Sequence, residues 1–142
     1  MTRIVLNGLD HSTLDYRLFI EPMYIGITVF HKDKGIPVGN CECSLIKNKV
    51  WYFNRLFVQP EYRNKGIGTA MLKELLLIIE EKEDVLQLDI NPYGEMSYEQ
   101  LEEFYIQSGF VKTIESNTEL GDYPRYYYNA FIRKEYNEST TN

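Results

Sequence analysis

The chain has 142 residues and a net charge of −6, from 15 Lys and Arg against 21 Asp and Glu, and 14% of its residues are aromatic, with 12 tyrosines. This size and an ordinary globular composition predict a single domain over residues 1–142. The acidic balance argues against a nucleic-acid partner, which needs clustered Lys and Arg, and no apolar run approaches the roughly 18 residues that a membrane-spanning helix requires.

The first half of the sequence is typical of short strands joined by turns. Segments rich in β-branched and aromatic residues are separated by residues such as Pro22 and Gly35, which favour turns. They predict four strands, over residues 16–20, 24–30, 37–46 and 51–58. We expect these strands to form an antiparallel meander.

The hydrophobic period then changes to that of a helix. Apolar residues recur at helical spacing over residues 66–82, which predicts an amphipathic helix. A strand is expected over residues 85–90. Ser97 with Gln100 three residues later forms a capping-box pattern, and the helix that it begins is expected to end at Gly109, a residue favoured after helix C-termini.

Two further strands are predicted near the end of the chain, over residues 110–114 and 126–133, followed by a polar tail over residues 135–142. A strand–helix–strand unit placed after a meander implies a mixed, mostly antiparallel sheet flanked by helices. The expected fold class is therefore α/β, in the α+β sense.

The two cysteines, Cys41 and Cys43, are spaced so that both thiols point to one face of a strand. We expect reduced, buried thiols and a cytoplasmic protein, since no secretory leader pattern is visible. A metal site would need more ligands than this pair, and His11 and His31 show no ligand spacing. No metal cofactor is expected.

The most informative segment joins a strand to a helix through a glycine-containing loop, over residues 56–70. Free backbone N–H groups at a helix N-terminus favour an anion such as phosphate. Gly66 and Gly68 allow close approach to the backbone, and Arg63 and Lys65 add positive charge. A loop that merely begins a helix is the alternative. Lys65 precedes Gly66, which excludes a Walker loop, and Met71 stands where a dinucleotide fingerprint needs Gly or Ala.

This segment resembles the GCN5-related N-acetyltransferases. Residues 63–68, Arg-Asn-Lys-Gly-Ile-Gly, match that family's Gln/Arg-x-x-Gly-x-Gly/Ala loop, and residues 104–110 resemble its Phe/Leu-Tyr-x-x-x-Gly-Phe segment. The resemblance implies an acyl-CoA N-acyltransferase-like fold with acetyl-CoA as cosubstrate. The residues that it implies for acetyl-CoA binding are Leu56, Val58, Arg63, Asn64, Lys65, Gly66, Ile67, Gly68 and Thr69.

The resemblance also implies roles in catalysis. Tyr105 corresponds to a general acid that protonates the departing CoA thiolate; a core tyrosine is the alternative. The backbone N–H of Val58 would stabilise the oxyanion formed on the thioester. Tyr98 stands where many members carry Asn. The general base stays open between Glu42, Asp89 and a water molecule.

The expected activity is acetyl transfer to a primary amine by direct attack on the thioester. The acidic balance of the chain favours a cationic acceptor, such as an amine metabolite, an aminoglycoside or a peptide amine. The alternatives are an inactive acyl-CoA-binding or regulatory module of the same fold and a small interaction domain. We expect a monomer or a homodimer.

Overall fold

The computed structural model of the chain describes residues 12–92, 94–117 and 121–129. These residues form one seven-stranded sheet and two α-helices. In chain order the elements are β1 (Leu14–Glu21), β2 (Tyr24–His31), β3 (Pro37–Lys47), β4 (Val50–Val58), α1 (Ile67–Glu81), β5 (Val85–Leu88), α2 (Tyr98–Gln107), β6 (Val111–Asn117) and β7 (Gly121–Tyr128). A 3-10 helix at Pro60–Tyr62 precedes α1.

The sheet has the order β1-β2-β3-β4-β5-β7-β6. Its first four strands form the expected antiparallel meander. Strand β5 pairs with β4 in parallel, because α1 crosses over between them and returns the chain in the same direction. The predicted mixed, mostly antiparallel sheet is therefore confirmed.

Both helices pack against the same face of the sheet. The apolar side of α1 is buried, with Met71, Leu75 and Ile79 fully enclosed. Cys41 and Cys43 are buried in the same core as free thiols. Helix α2 reaches this core mainly through half-buried aromatic side chains. We call the other face, which carries the charged side chains of β3 and β4, the open face, because neither described helix covers it.

Helix α2 begins as the sequence predicts. The Ser97 hydroxyl accepts a hydrogen bond from the Gln100 N–H at 3.2 Å, and the Gln100 side chain accepts one from the Ser97 N–H at 2.8 Å. This reciprocal pair is the capping box. It fixes the start of the helix that carries Tyr105.

The last strands differ from the expectation. Strand β6 continues to Asn117, and β7 begins at Gly121 rather than at residue 126. The two strands pair as a long hairpin from Val111↔Tyr127 to Asn117↔Gly121, so strand pairing overrides the low strand propensity of the segment around Pro124. Strand β5 ends at Leu88 rather than at residue 90. The expected strand residues 130–133 and the tail 135–142 lie outside the described residues.

Within the described ranges, neither helix has the length and apolar character needed to cross a bilayer.

Candidate active site

Strands β4 and β5 separate shortly after they begin to pair. Their parallel pairing comprises Val50↔Val85, Trp51↔Leu86 and Tyr52↔Gln87. Beyond Tyr52, β4 continues to Val58 with a described partner on its β3 side only. The backbone of Leu56 and Val58 therefore lies along an open strand edge. Such an edge can bind an extended ligand as an added strand would bind.

A β-bulge begins at the point of separation. Cys43 pairs with Phe53 and Glu42 pairs with Arg55, so Asn54 is an extra residue on β4. Its side-chain amide donates a 2.7 Å hydrogen bond to the Ser44 hydroxyl. A bulge bends its strand and increases the local twist. The bulge thus helps to lead the end of β4 away from β5.

The loop after β4 presents backbone N–H groups at the start of α1. Gly66 precedes the helix with φ of 83°, a left-handed conformation that favours glycine. The Ala70 N–H makes the first helical bond, to the Gly66 carbonyl at 2.9 Å. The amides of Ile67, Gly68 and Thr69 come before that bond, and Gly66 has no side chain to cap them. Uncapped amides of this kind at a helix N-terminus are able to bind an anion, which is the role that the sequence predicts for them.

Gly68 lies beside the end of β4. A Cβ atom added at Gly68 would lie 3.6 Å from a Val58 methyl group, an ordinary contact distance. The helix N-terminus and the open strand edge are therefore adjacent. Alanine fits at Gly68, in agreement with the Gly/Ala alternative in the family motif, whereas Gly66 is restricted by its positive φ.

Arg63 connects the loop to the strand. Its Nε donates a 2.8 Å hydrogen bond to the Val58 carbonyl, and its guanidinium lies 5.8 Å from the centre of the Phe57 ring. One terminal nitrogen is 3.8 Å from the exposed Glu95 carboxylate. Asn64 adopts φ of 63°, and Lys65 is exposed at the tip of the loop. Arg63 thus holds the loop against the end of β4.

Tyr105 is brought to the same opening from α2. Its half-buried ring makes edge-to-face contacts with Phe53, Phe104 and Phe110, at centroid distances of 6.0, 5.2 and 5.6 Å. Phe53 is the first β4 residue beyond the last pair with β5. The ring packs as a core aromatic residue, as one reading of the sequence expects, and does so at the junction where the strands part.

A hydrogen-bonded network under α2 could not be anticipated from the sequence. The Tyr98 and Tyr126 hydroxyls lie 2.7 Å apart, and Tyr126 donates to the Glu102 carboxylate. Lys112 pairs with Glu102 at 2.9 Å. Burial, reinforced by the bond to Glu102, raises the pKa of Tyr126. Tyr98 thus faces β7, and spacing within the sequence gives no signal for this contact.

The two carboxylates considered as bases differ in their surroundings. Asp89 follows β5 and accepts bonds from Arg125 at 3.0 and 3.3 Å and from the Tyr52 hydroxyl at 3.2 Å. Glu42 lies on the open face and accepts one bond, from the Tyr24 hydroxyl at 2.9 Å. Asp89 is therefore fixed by partners on both oxygens, and Glu42 is the less engaged of the two. Sequence reasoning did not single out Arg125.

Comparison with known proteins identifies the family. The sequence profile of the acetyltransferase (GNAT) domain matches residues 10–112, most of the chain. The chain belongs to the GNAT acetyltransferase family. The match confirms the resemblance noted in the loop and in residues 104–110. No curated protein sequence matches significantly.

Solved structures share the fold of this GNAT domain. They include the PaiA N-acetyltransferase of Thermoplasma acidophilum in complex with coenzyme A, at 22% identity and a TM-score of 0.53, over 75% of this chain and 60% of that one. The ribosomal-protein-S18-alanine N-acetyltransferase of Escherichia coli is 18% identical with a TM-score of 0.58, over 77% and 70%. A GNAT-family acetyltransferase of Staphylococcus aureus is 20% identical with a TM-score of 0.55, over 74% and 67%. This GNAT domain thus spans 60% of the length of the Thermoplasma chain.

Proposed function

We propose that this chain is an N-acetyltransferase that moves an acetyl group from acetyl-CoA to a primary amine. One observation carries the proposal. The open edge of β4 runs from Phe53, against which Tyr105 packs, to Val58, beside the N-terminus of α1. This arrangement supports the proposal, because one strand edge would have a phosphate at its α1 end and the ring of Tyr105 near its other end.

The residues present fit the donor. The pyrophosphate would accept hydrogen bonds from the amides of Gly66, Ile67, Gly68 and Thr69, where the helix dipole also favours negative charge. Asn64 and Lys65 complete the loop around it, and Lys65 adds charge. The pantetheine arm would pair with the backbone between Leu56 and Val58, as a strand pairs with a sheet edge.

The acceptor nitrogen then attacks the thioester carbonyl carbon directly. The C–N bond forms and the C–S bond breaks, while the Val58 N–H stabilises the oxyanion that develops. An ammonium acceptor loses two protons in the course of this reaction. One ends on the CoA sulfur by way of Tyr105, and the other passes to solvent, through Glu42 or through water.

The acceptor is expected to present a cationic ammonium group, since the chain has a net charge of −6. The structural neighbours include a ribosomal-protein-S18-alanine N-acetyltransferase and an aminoglycoside 6'-N-acetyltransferase. Peptide α-amines and aminoglycosides are therefore natural members of a test panel, beside small amine metabolites.

The experiment has two steps. Calorimetry with acetyl-CoA measures donor binding, and release of free thiol across the amine panel then measures transfer. We expect binding, and acetylation of at least one amine. Donor binding without transfer to any amine would instead support an inactive acyl-CoA-binding module, and absence of binding would contradict the site.

A further inference from the structure

The open face carries a depression of about 550 Å³ beside the end of β4, lined by Glu42, Asn54, Arg55 and Phe57. Glu42 and Arg55 are direct partners across β3 and β4, so their side chains lie on the same face of the sheet. Arg55 and Phe57 flank Leu56 on the strand that would bind the pantetheine arm. A molecule in this depression would therefore lie against β4, which we call the donor strand because it would bind acetyl-CoA.

Two opposite charges, those of Glu42 and Arg55, line this depression. The described structure shows no ion pair between Glu42 and Arg55, although they are cross-strand partners. The Glu42 carboxylate instead accepts the Tyr24 hydroxyl at 2.9 Å, and the Arg55 guanidinium lies over the Phe57 ring at 5.1 Å. Burial, together with the bond to Glu42, raises the pKa of Tyr24 to about 12. Tyr24 therefore remains a hydrogen-bond donor to Glu42 throughout the neutral range.

This arrangement suits a ligand that itself carries both charges. A carboxylate can bind an ammonium group, and a guanidinium binds a carboxylate through two parallel hydrogen bonds. A simple amine would satisfy Glu42 and leave Arg55 without an anionic partner. A zwitterion engages both groups and brings its nitrogen to the donor strand.

We propose that the acceptor is a free amino acid, bound with its α-ammonium group on Glu42 and its carboxylate on Arg55. This inference rests on the proposed function, because it names the acceptor of the same reaction. In the bound state Arg55 acts as the specificity residue, since it reads the carboxylate. Glu42 binds the nitrogen that attacks the thioester.

The test compares each genetically encoded amino acid with its α-amide, which keeps the amine and lacks the carboxylate. With saturating acetyl-CoA, thiol release gives kcat/KM for both members of a pair. We expect the best amino acid to exceed its amide by at least roughly tenfold, equivalent to about 1.4 kcal/mol of selective stabilisation. This comparison needs no variant, so it does not depend on the folding of a mutant.

Variants then assign the preference to residues. Arg55→Gln should lower kcat/KM for the amino acid and leave the amide nearly unchanged, so that their ratio falls towards one. Glu42→Gln should lower both. Arg17→Gln is the matched control. Arg17 lies on β1, on the same face, with its guanidinium 5.2 Å from the centre of the Phe30 ring, and the substitution removes the same charge as Arg55→Gln does.

The outcomes separate this inference from the proposed function. Amides used as well as the amino acids, or acetylation of other amines only, would overturn the amino-acid assignment and leave acetyl transfer standing. Failure of acetyl-CoA to bind would overturn both. A selectivity ratio that Arg17→Gln changes as much as Arg55→Gln does would overturn the role of Arg55.

Discussion

The ring of Tyr105 packs against three other aromatic rings at the point where β4 leaves β5. These three contacts would remain after loss of the hydroxyl, because each depends on the ring rather than on the phenol oxygen. A packing role and a proton-donor role are therefore compatible in one residue. They can be separated by a substitution that keeps the ring.

Tyr105→Phe is expected to lower kcat at least roughly tenfold, because the CoA thiolate would leave without a proton donor. Acetyl-CoA affinity should change little, since the ring remains in place. Steady-state kinetics and calorimetry measure the two effects. Tyr16→Phe, which removes a phenol hydroxyl from edge strand β1, is the matched control and should retain activity. Unchanged turnover in Tyr105→Phe would eliminate the proton-donor role.

At the scale of elements, the junction of β4 with α1 forms the proposed donor site. The strand ends at Val58, the loop is held to it by Arg63, and the helix begins after Gly66 with its first amides uncapped. The strand edge offers backbone N–H and C=O groups, whereas the helix N-terminus offers N–H groups only. The two are adjacent, since a Cβ atom added at Gly68 would lie 3.6 Å from a Val58 methyl group.

Gly68→Asp is expected to abolish acetyl-CoA binding, because its carboxylate would lie among the amides proposed for the pyrophosphate. The fold should survive, since an acidic residue near a helix N-terminus is favourable. Calorimetry measures binding, and circular dichroism checks the fold.

Gly68→Ala is the matched control for that substitution. Its Cβ makes only an ordinary contact with Val58, so binding should be largely retained. Normal affinity in Gly68→Asp would show that the loop does not hold the pyrophosphate. Loss of binding in both variants would point to a distorted helix start rather than to charge repulsion.

At the scale of the whole molecule, the sheet has an opening because β4 and β5 pair at one end and separate towards the other. Three pairs join β4 to β5, and the hairpin of β6 and β7 then continues the sheet beyond β5. A ligand in the opening would contact both halves of the sheet. Binding should therefore stabilise the molecule as a unit.

Acetyl-CoA at one hundred times its dissociation constant is expected to raise the free energy of unfolding by about 2.7 kcal/mol. Chemical denaturation with and without acetyl-CoA measures this gain. The gain should disappear in Gly68→Asp at the same ligand concentration and persist in Gly68→Ala. An equal gain in Gly68→Asp would place the binding site elsewhere.

The sequence by itself determined most of the elements and indicated the family. Strand-forming composition and turn residues predicted the meander, and the helical hydrophobic period predicted α1. The pair Ser97 and Gln100 predicted the start of α2, and the motifs at residues 63–68 and 104–110 indicated the family. These features are local, because turn chemistry, capping and backbone amides depend on neighbours in the chain. The last strand was predicted to begin at residue 126 but begins at Gly121, since the pairing of residues around Pro124 depends on a partner strand.

Only the tertiary structure decided which distant side chains meet. It joined Asp89 to Arg125, and Tyr98 to Tyr126. It also brought Glu42 and Arg55 onto one face as cross-strand partners, without an ion pair between them. The position of Glu42 opposite Arg55 follows from strand register and from the bulge at Asn54, where one extra residue changes which residues of β3 and β4 oppose each other. Local sequence patterns do not encode register, so the motif could suggest a donor site, whereas the meeting of Glu42 and Arg55 could not be predicted.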